Sequence, residues 1–288
     1  MNSMLKFIDA DYVANEISLM RDSFRGTVLL VEGFDDARFF DKILAPGDTC
    51  RVSVAFGKSN ALEALALLRQ RRLGGDILLV LDADFWRTTG QIPSDPDIVL
   101  TEFHDLEMDM IASGALDDVL REVSSPAAIE AFSKEKSKSP LAFLIDEAYG
   151  IGLLRFLNYR DSLLLDFKAI ELAEHVDHDT LSVSLEDYLA DVLDASSGTL
   201  DAGELLGAID RASRAGHEKY QIARGHDCIA LLCTMLRLKL ASCPQAMCEE
   251  ESVCTNLRLA YTREHFDRGL LARSIREWED SHSAVVIG

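Results

Sequence analysis

Apolar positions early in the chain fall into two alternating signatures. Within residues 10–24, Tyr12, Val13, Ile17 and Met20 recur at helical spacing and predict an amphipathic helix. TVLLVEG (27–33) is instead a continuous apolar run closed by glycine, the pattern of a strand buried on both faces of a parallel sheet. DDARFFDKIL (35–44) predicts a helix that Pro46 and Gly47 stop. The cycle repeats with CRVSVAF (50–56) as a strand and GKSNALEALALLRQRR (57–72) as a turn and helix. After a break at Gly74 and Gly75, DILLVLDAD (76–84) is the third strand. DIVLTEF (97–103) predicts a fourth, and HDLEMDMIAS a further helix.

This alternation predicts an α/β fold, a parallel sheet flanked by helices. It stops near residue 113, and the pattern then predicts helices at 126–136, 140–158, 184–197, 202–215, 226–242, 253–260 and 264–280. LLLDF (163–167) is at most an isolated strand, and SKEKSKSP (133–140) reads as an exposed loop. The expected organisation is an α/β domain at 1–112 and a mainly helical domain at 113–288. No apolar run approaches the roughly 20 residues of a membrane span. The opening MNSMLKFIDADYVANEISLM lacks a basic stretch followed by an apolar core, so no signal peptide is expected. The expectation is a soluble cytoplasmic protein with no membrane contact.

In a parallel sheet the working residues stand at the carboxyl ends of strands. Here those ends are acidic: Glu32 in VEGFDD, Asp82 and Asp84 in LDAD, and His104, Asp105 and Glu107 in FHDLE. Along an extended strand Asp82 and Asp84 point to the same side, and Asp36 follows the Glu32 loop by one helical turn. Clustered carboxylates repel unless a cation sits among them, and hard oxygen donors suit magnesium or manganese. Each motif alone reads equally as a turn or a helix cap; their joint placement points to a metal site. Lys58 in the GKSN turn is placed to pair with a phosphate or to cap a neighbouring helix. GKSN lacks the earlier glycine of a nucleotide-binding P-loop, so no nucleotide site is expected there.

The net charge of −20 argues against a protein that holds nucleic acid by phosphate neutralisation alone. Acids dominate 161–210, where Lys168 is the single Lys or Arg. That run reads as a solvated face or as a docking surface for a basic partner. Arg211, Arg214, Lys219, Arg224, Arg237 and Lys239 form a locally basic stretch, and Arg211, Arg214, Arg224 and His226 are candidate nucleic-acid contacts. Asp227 is a first-turn acid of the following apolar helix. Five of six cysteines fall at 228 or later without zinc-site spacing, and Cys228 and Cys233 read as reduced core residues.

VEGFDD followed by LDAD resembles the Toprim fold of topoisomerases, bacterial primases, OLD nucleases and small RNA-maturation nucleases. With FGKSNALEAL, TEFHDLEMDM and RGHDCIALL, the chain is similar more narrowly to the Toprim effectors (AriB-like) that accompany an ABC-type ATPase (AriA-like) in the PARIS anti-phage defence system. The resemblance covers most of the chain. It implies that Glu32 is a general base or acid near metal, and that Asp82 and Asp84 bind Mg2+ or Mn2+. Asp36, Lys58, Asp105 and Glu107 match further motifs of the family, and the resemblance implies that they are catalytic candidates.

The chain lacks a topoisomerase's tyrosine-bearing domain and a primase's zinc ribbon, which favours a nuclease. The implied function is a magnesium-dependent endonuclease, a toxic effector released from its ATPase partner and cleaving RNA, transfer RNA first. The alternatives are an OLD-like DNA-nicking nuclease and a non-catalytic regulatory subunit of an ATPase complex. A two-fold homodimer is expected of the free effector, because one acidic chain offers few phosphate contacts.

Overall fold

The computed structural model describes residues 8–198 and 200–288; the part of the opening segment at 1–7, read above for a leader, lies outside them. The elements begin with α1 (Ala10–Met20), β1 (Thr27–Val31), α2 (Phe34–Phe40), β2 (Cys50–Val54), α3 (Lys58–Gln70) and β3 (Ile77–Leu81). A short α4 (Trp86–Thr89), β4 (Ile98–Leu100), α5 (Leu106–Ala112), α6 (Ala115–Val123), α7 (Pro126–Lys136) and α8 (Pro140–Asp161) follow. Then come α9 (Leu185–Ala195), α10 (Ala202–Arg214), α11 (Lys219–Ile222), α12 (Gly225–Met235), α13 (Glu250–Ala260), α14 (Arg263–Arg268) and α15 (Leu270–His282). A π-helical turn at Leu236–Leu240 extends α12.

The chain forms two compact units. The first takes the described residues up to Ala83 together with Pro93–Glu102 and Phe266–Gly288. The second takes Asp84–Ile92 and Phe103–His265. This division differs from a cut at 112: the C-terminal helix returns to the sheet, and α5 belongs with the helices.

In the first unit four parallel strands run in the order β2-β1-β3-β4. Every residue of β1 and β3 is buried, as strands covered on both faces require. The α1 helix buries Ala10, Val13, Ala14 and Ile17; Tyr12, expected on that face, is exposed. The segment after Phe266 belongs here through long-range contacts. The Phe266 ring meets Phe39 edge-on, the Trp278 indole N–H donates to Asp97 (3.0 Å), and Ala45 N–H donates to the Val286 carbonyl (2.8 Å). The buried Glu279 carboxylate accepts the N–H groups of Val286 and Ile287.

The second unit is helical. Its core includes Leu144, Ala148, Ile151 and Leu154 of α8 and Ile229, Leu232, Cys233 and Met235 of α12. Cys228 and Cys233 are buried there as small hydrophobes. LLLDF at 163–167 forms no strand, and the one β pairing recorded nearby is the isolated bridge Val176–Val183. No helix of the described residues is long and apolar enough to cross a membrane.

Candidate active site

The strand order puts β1 between β2 and β3, so the chain reverses its direction of winding between β1 and β3. That crevice, at the carboxyl ends, is where open α/β sheets hold ligands. Glu32 directly follows β1 and Asp82 directly follows β3. The Glu32 carboxylate accepts the Asp82 N–H (3.0 Å). The Lys58 ammonium donates to the Asp82 carbonyl (2.8 Å) and stands 3.9 Å from Glu32 Oε1. Both side chains are 18% exposed, so carboxylate and ammonium interact in a setting of lower dielectric than water.

Lys58 reaches this position because α3 begins with it, immediately after the turn Phe56-Gly57. Gly57 has φ +119°, a conformation that favours glycine, and its N–H donates to the Glu32 carbonyl (2.9 Å). Lys58 is therefore drawn to the strand ends rather than to a neighbouring helix cap. Asp36 turns to its own helix: Oδ2 accepts the Gly33 N–H (2.8 Å) at the start of α2. Ala83 N–H donates to the buried Thr101 hydroxyl (2.8 Å), which fixes the end of β3 against β4. Thr101 was not singled out from the sequence, although a threonine directly after a strand is a visible signal. Phe34 and Phe56 form a second unforeseen feature, an edge-to-face pair at 5.4 Å between ring centroids with Phe34 exposed.

Strand alternation does not carry through to Asp84. The strand stops at Leu81, and Asp84 has φ +44°, a left-handed conformation that aspartate tolerates better than most residues. The expectation that extended geometry aligns Asp82 with Asp84 is therefore corrected.

In the helical unit, the Asp84 N–H donates to the His104 carbonyl (2.7 Å), and Asp84 Oδ1 stands 3.8 Å from His104 Nε2. The His104 side chain is 4% exposed, and burial lowers its pKa below the ordinary imidazole value. Asp105 caps two helices at once. Its carboxylate accepts Met108 N–H (2.9 Å) of α5 and Gly225 N–H (2.8 Å) of α12. Burial, reinforced by the nearby Glu107 charge, raises the Asp105 pKa well above the ordinary carboxylate range. A buried side chain committed to two helix N-termini holds the fold together, so the geometry gives Asp105 a structural role. Gly225 is required there: a Cβ would come within 2.4 Å of Asp105 Oδ1.

The RGHD segment divides in the same way. Asp227 is buried and pairs with both Nε (2.7 Å) and Nη2 (3.0 Å) of Arg155, which also donates to the Tyr188 hydroxyl. Arg155 had no sequence signal, since its partner lies 72 residues away. His226 and Arg211 are exposed, and Arg224 is half-buried at the start of α12. Arg214 pairs with Asp210 in an exposed ion pair, Arg237 with Glu249 and Lys239 with Glu135.

Among the described residues no three His, Cys, Asp or Glu side chains converge as a preformed metal cage. The chemistry of the donors still fits magnesium, which is commonly bound through one or two carboxylates while keeping water and taking phosphate oxygens. No protein-family model matches the sequence, and no curated protein matches it.

Proposed function

We propose that the chain is a Toprim-type, divalent-metal-dependent nuclease, with RNA, and transfer RNA first, as the favoured substrate. The observation that carries this reading is the meeting of Glu32, Asp82 and Lys58 at the switch point of a parallel sheet. Glu32 and Asp82, with Asp84 next along the chain, are the residues proposed to hold Mg2+ or Mn2+. Such an ion, when bound, lowers the pKa of attacking water and offsets charge on the phosphoryl group. Glu32 would accept or return a proton of the attacking water. The Asp82 N–H keeps one carboxylate oxygen fixed while it does so. Lys58 supplies a point charge for a phosphate oxygen. Phe34, exposed beside Glu32, offers an aromatic face on which an unpaired base stacks.

The same reading makes the acidic stretch 161–210 a docking surface for an ABC-type ATPase that restrains a toxic effector, and the free effector a two-fold dimer. One observation favours a second reading. Lys58 beside Glu32 partly neutralises the cluster without an ion, as a non-catalytic regulatory subunit would need. Cleavage assays separate the two. Purified chain is incubated with transfer RNA, single-stranded RNA and DNA, with Mg2+, Mn2+ or chelator, beside Glu32→Ala. Metal-dependent RNA cleavage that falls about 10²–10⁴-fold in Glu32→Ala is expected. Cleavage of DNA alone would move the substrate, and equal activity in a folded Glu32→Ala would remove the catalytic assignment.

A further inference from the structure

In the helical unit, the sulfur atoms of Cys243 and Cys248 stand 4.0 Å apart. The fold anchors the chain around both. Just before Cys243, Ala241 bridges to Ser124, and the Ser242 N–H donates to the Val123 carbonyl (2.9 Å). Between the two cysteines a 3₁₀ turn, Gln245–Cys248, begins with the Met247 N–H donating to the Pro244 carbonyl (2.9 Å). The Ser252 hydroxyl donates to the Ala246 carbonyl (2.8 Å) and ties that turn to α13. A disulfide holds its sulfurs about 2.05 Å apart. The pair must therefore close by about 2 Å, a displacement that rotation of two side chains between staggered positions supplies.

Both thiols line a cavity of about 510 Å³, together with Thr234, Arg237 and His178. Arg237 pairs with Glu249, the residue after Cys248 (3.6 Å), and its positive charge favours a thiolate nearby. At Cys248 burial outweighs that charge and pushes the thiol up to about 11. Cys248 therefore keeps its proton and offers it to the sulfur of Cys243, which is half-buried where Cys248 is buried. Burial also pushes Cys50 and Cys233 up to about 12 and Cys228 well above the ordinary thiol value. Buried, protonated thiols of that kind react slowly, so the cavity pair is set apart from these three.

We propose that Cys243 and Cys248 form a redox-active dithiol, which a peroxide reaching this cavity converts to an intramolecular disulfide. Cys243 reacts first: its sulfur takes one oxygen of hydrogen peroxide, the O–O bond breaks, and the thiol proton leaves with the other oxygen as water. The sulfur of Cys248 then attacks the sulfenic sulfur of Cys243. The S–S bond forms, the S–OH bond breaks, and the Cys248 proton leaves with that hydroxyl as a second water. Two thiols and one peroxide thus become one disulfide and two waters, with two electrons passing from sulfur to oxygen. A dithiol reductant reverses the change by thiol–disulfide exchange. This chemistry uses none of the strand-end carboxylates and does not depend on the nuclease reading.

Peptide mass spectrometry of the reduced full chain after timed exposure to hydrogen peroxide tests the assignment. The remaining thiols are alkylated after unfolding, and the chain is cut with trypsin and a glutamate-specific protease. Cleavage after Lys239 or Leu240 and within Glu249–Glu251 yields a peptide that holds Cys243 and Cys248 without Cys254. That peptide should become unalkylated and lighter by two hydrogen atoms, and dithiothreitol should restore both thiols. The change should run about tenfold or more ahead of thiol loss at Cys50, Cys228 and Cys233. In Cys243→Ser, the loss of the Cys248 thiol should slow by about tenfold or more. The measurements on the unaltered chain decide the matter if that variant fails to fold. Oxidation of Cys243 to sulfinic or sulfonic acid with Cys248 left as a thiol would overturn the proposal. So would a disulfide from either residue to Cys254, or loss of the pair no faster than of the buried thiols.

Discussion

Asp105 shows how a single residue in a site-like motif serves the fold instead. Its carboxylate satisfies N–H groups at the starts of two helices, α5 and α12, which helix ends otherwise leave to water. The folded group holds its proton to a higher pH than the unfolded chain does, because burial raises its pKa. Stability from this residue is therefore fully present below the ordinary carboxylate value of about 3.9. It declines as pH rises from there through the raised folded value. Asp105→Asn removes that titration. The melting advantage of the unaltered chain over Asp105→Asn should be largest near pH 4 and shrink toward pH 7; an advantage that grows with pH would contradict the burial argument. Gly225→Ala should lower stability by about 1–3 kcal/mol in chemical denaturation, because its Cβ would strike Asp105 and Glu107. Neither effect was legible in FHDLE or RGHD taken singly. Residues 105 and 225 meet across 120 positions, and local patterns do not report such pairings. Glu32 and Asp82 were legible because a rule about strand ends applies to both.

At the scale of elements, periodicity found most of the fold. The strands at 27–33, 50–56, 76–84 and 97–103 exist in parallel, each shorter than read; after β2 and β3 the chain soon turns through the left-handed residues Phe56 and Asp84. The 126–136 helix has its read bounds as α7, set by the Ser125 cap and Pro126. By contrast, 264–280 is broken at Gly269, where Glu102 accepts the Leu270 N–H and starts α15 afresh. The α6 helix was missed, although its apolar residues Leu116, Val119, Leu120 and Val123 lie at helical spacing. The attachment of α15 and the residues after it to the sheet unit was not legible, since it depends on Phe266, Trp278 and Val286 meeting Phe39, Asp97 and Ala45, far earlier in the chain. Trp278→Ala should cost about 3–5 kcal/mol, read by denaturant unfolding, and Glu102→Ala about 1 kcal/mol as a lost cap. A Trp278→Ala change below about 1 kcal/mol would mean that α15 adds little to the sheet unit.

For the whole molecule, charge is the dominant feature. Several acids of 161–210 have local work: Asp201 caps α10, Asp177 closes a turn on Thr180, and Asp191 stands 3.3 Å from His175. Glu186 and Asp194 are exposed on α9 and free the test from those roles. Glu186→Lys with Asp194→Lys moves the net charge from −20 to −16, two charges per reversal. If the acidic face docks an ATPase, the double reversal should weaken co-purification, most at low salt where charge is least screened. Unchanged binding would leave the run as a solvated face. The apolar helix around Cys228 is core, with Leu238 the exposed large hydrophobe of that stretch. A dimer contact must therefore come from other surfaces, and sedimentation of the partner-free chain measures it.

The central claim is that the strand-end carboxylates form a divalent-cation site, and the most direct measurement is the melting temperature as a function of Mg2+ and Mn2+. An ion that binds only the folded chain stabilises it by RT ln(1 + [L]/Kd), about 2.7 kcal/mol at one hundred times Kd. The unaltered chain should melt higher with increasing metal, and Asp82→Asn with Asp84→Asn should abolish the rise. The double variant should also melt no lower than the unaltered chain in chelator, because like charges no longer repel. A metal-dependent rise that persists unchanged in the double variant would contradict the account and put the cation elsewhere.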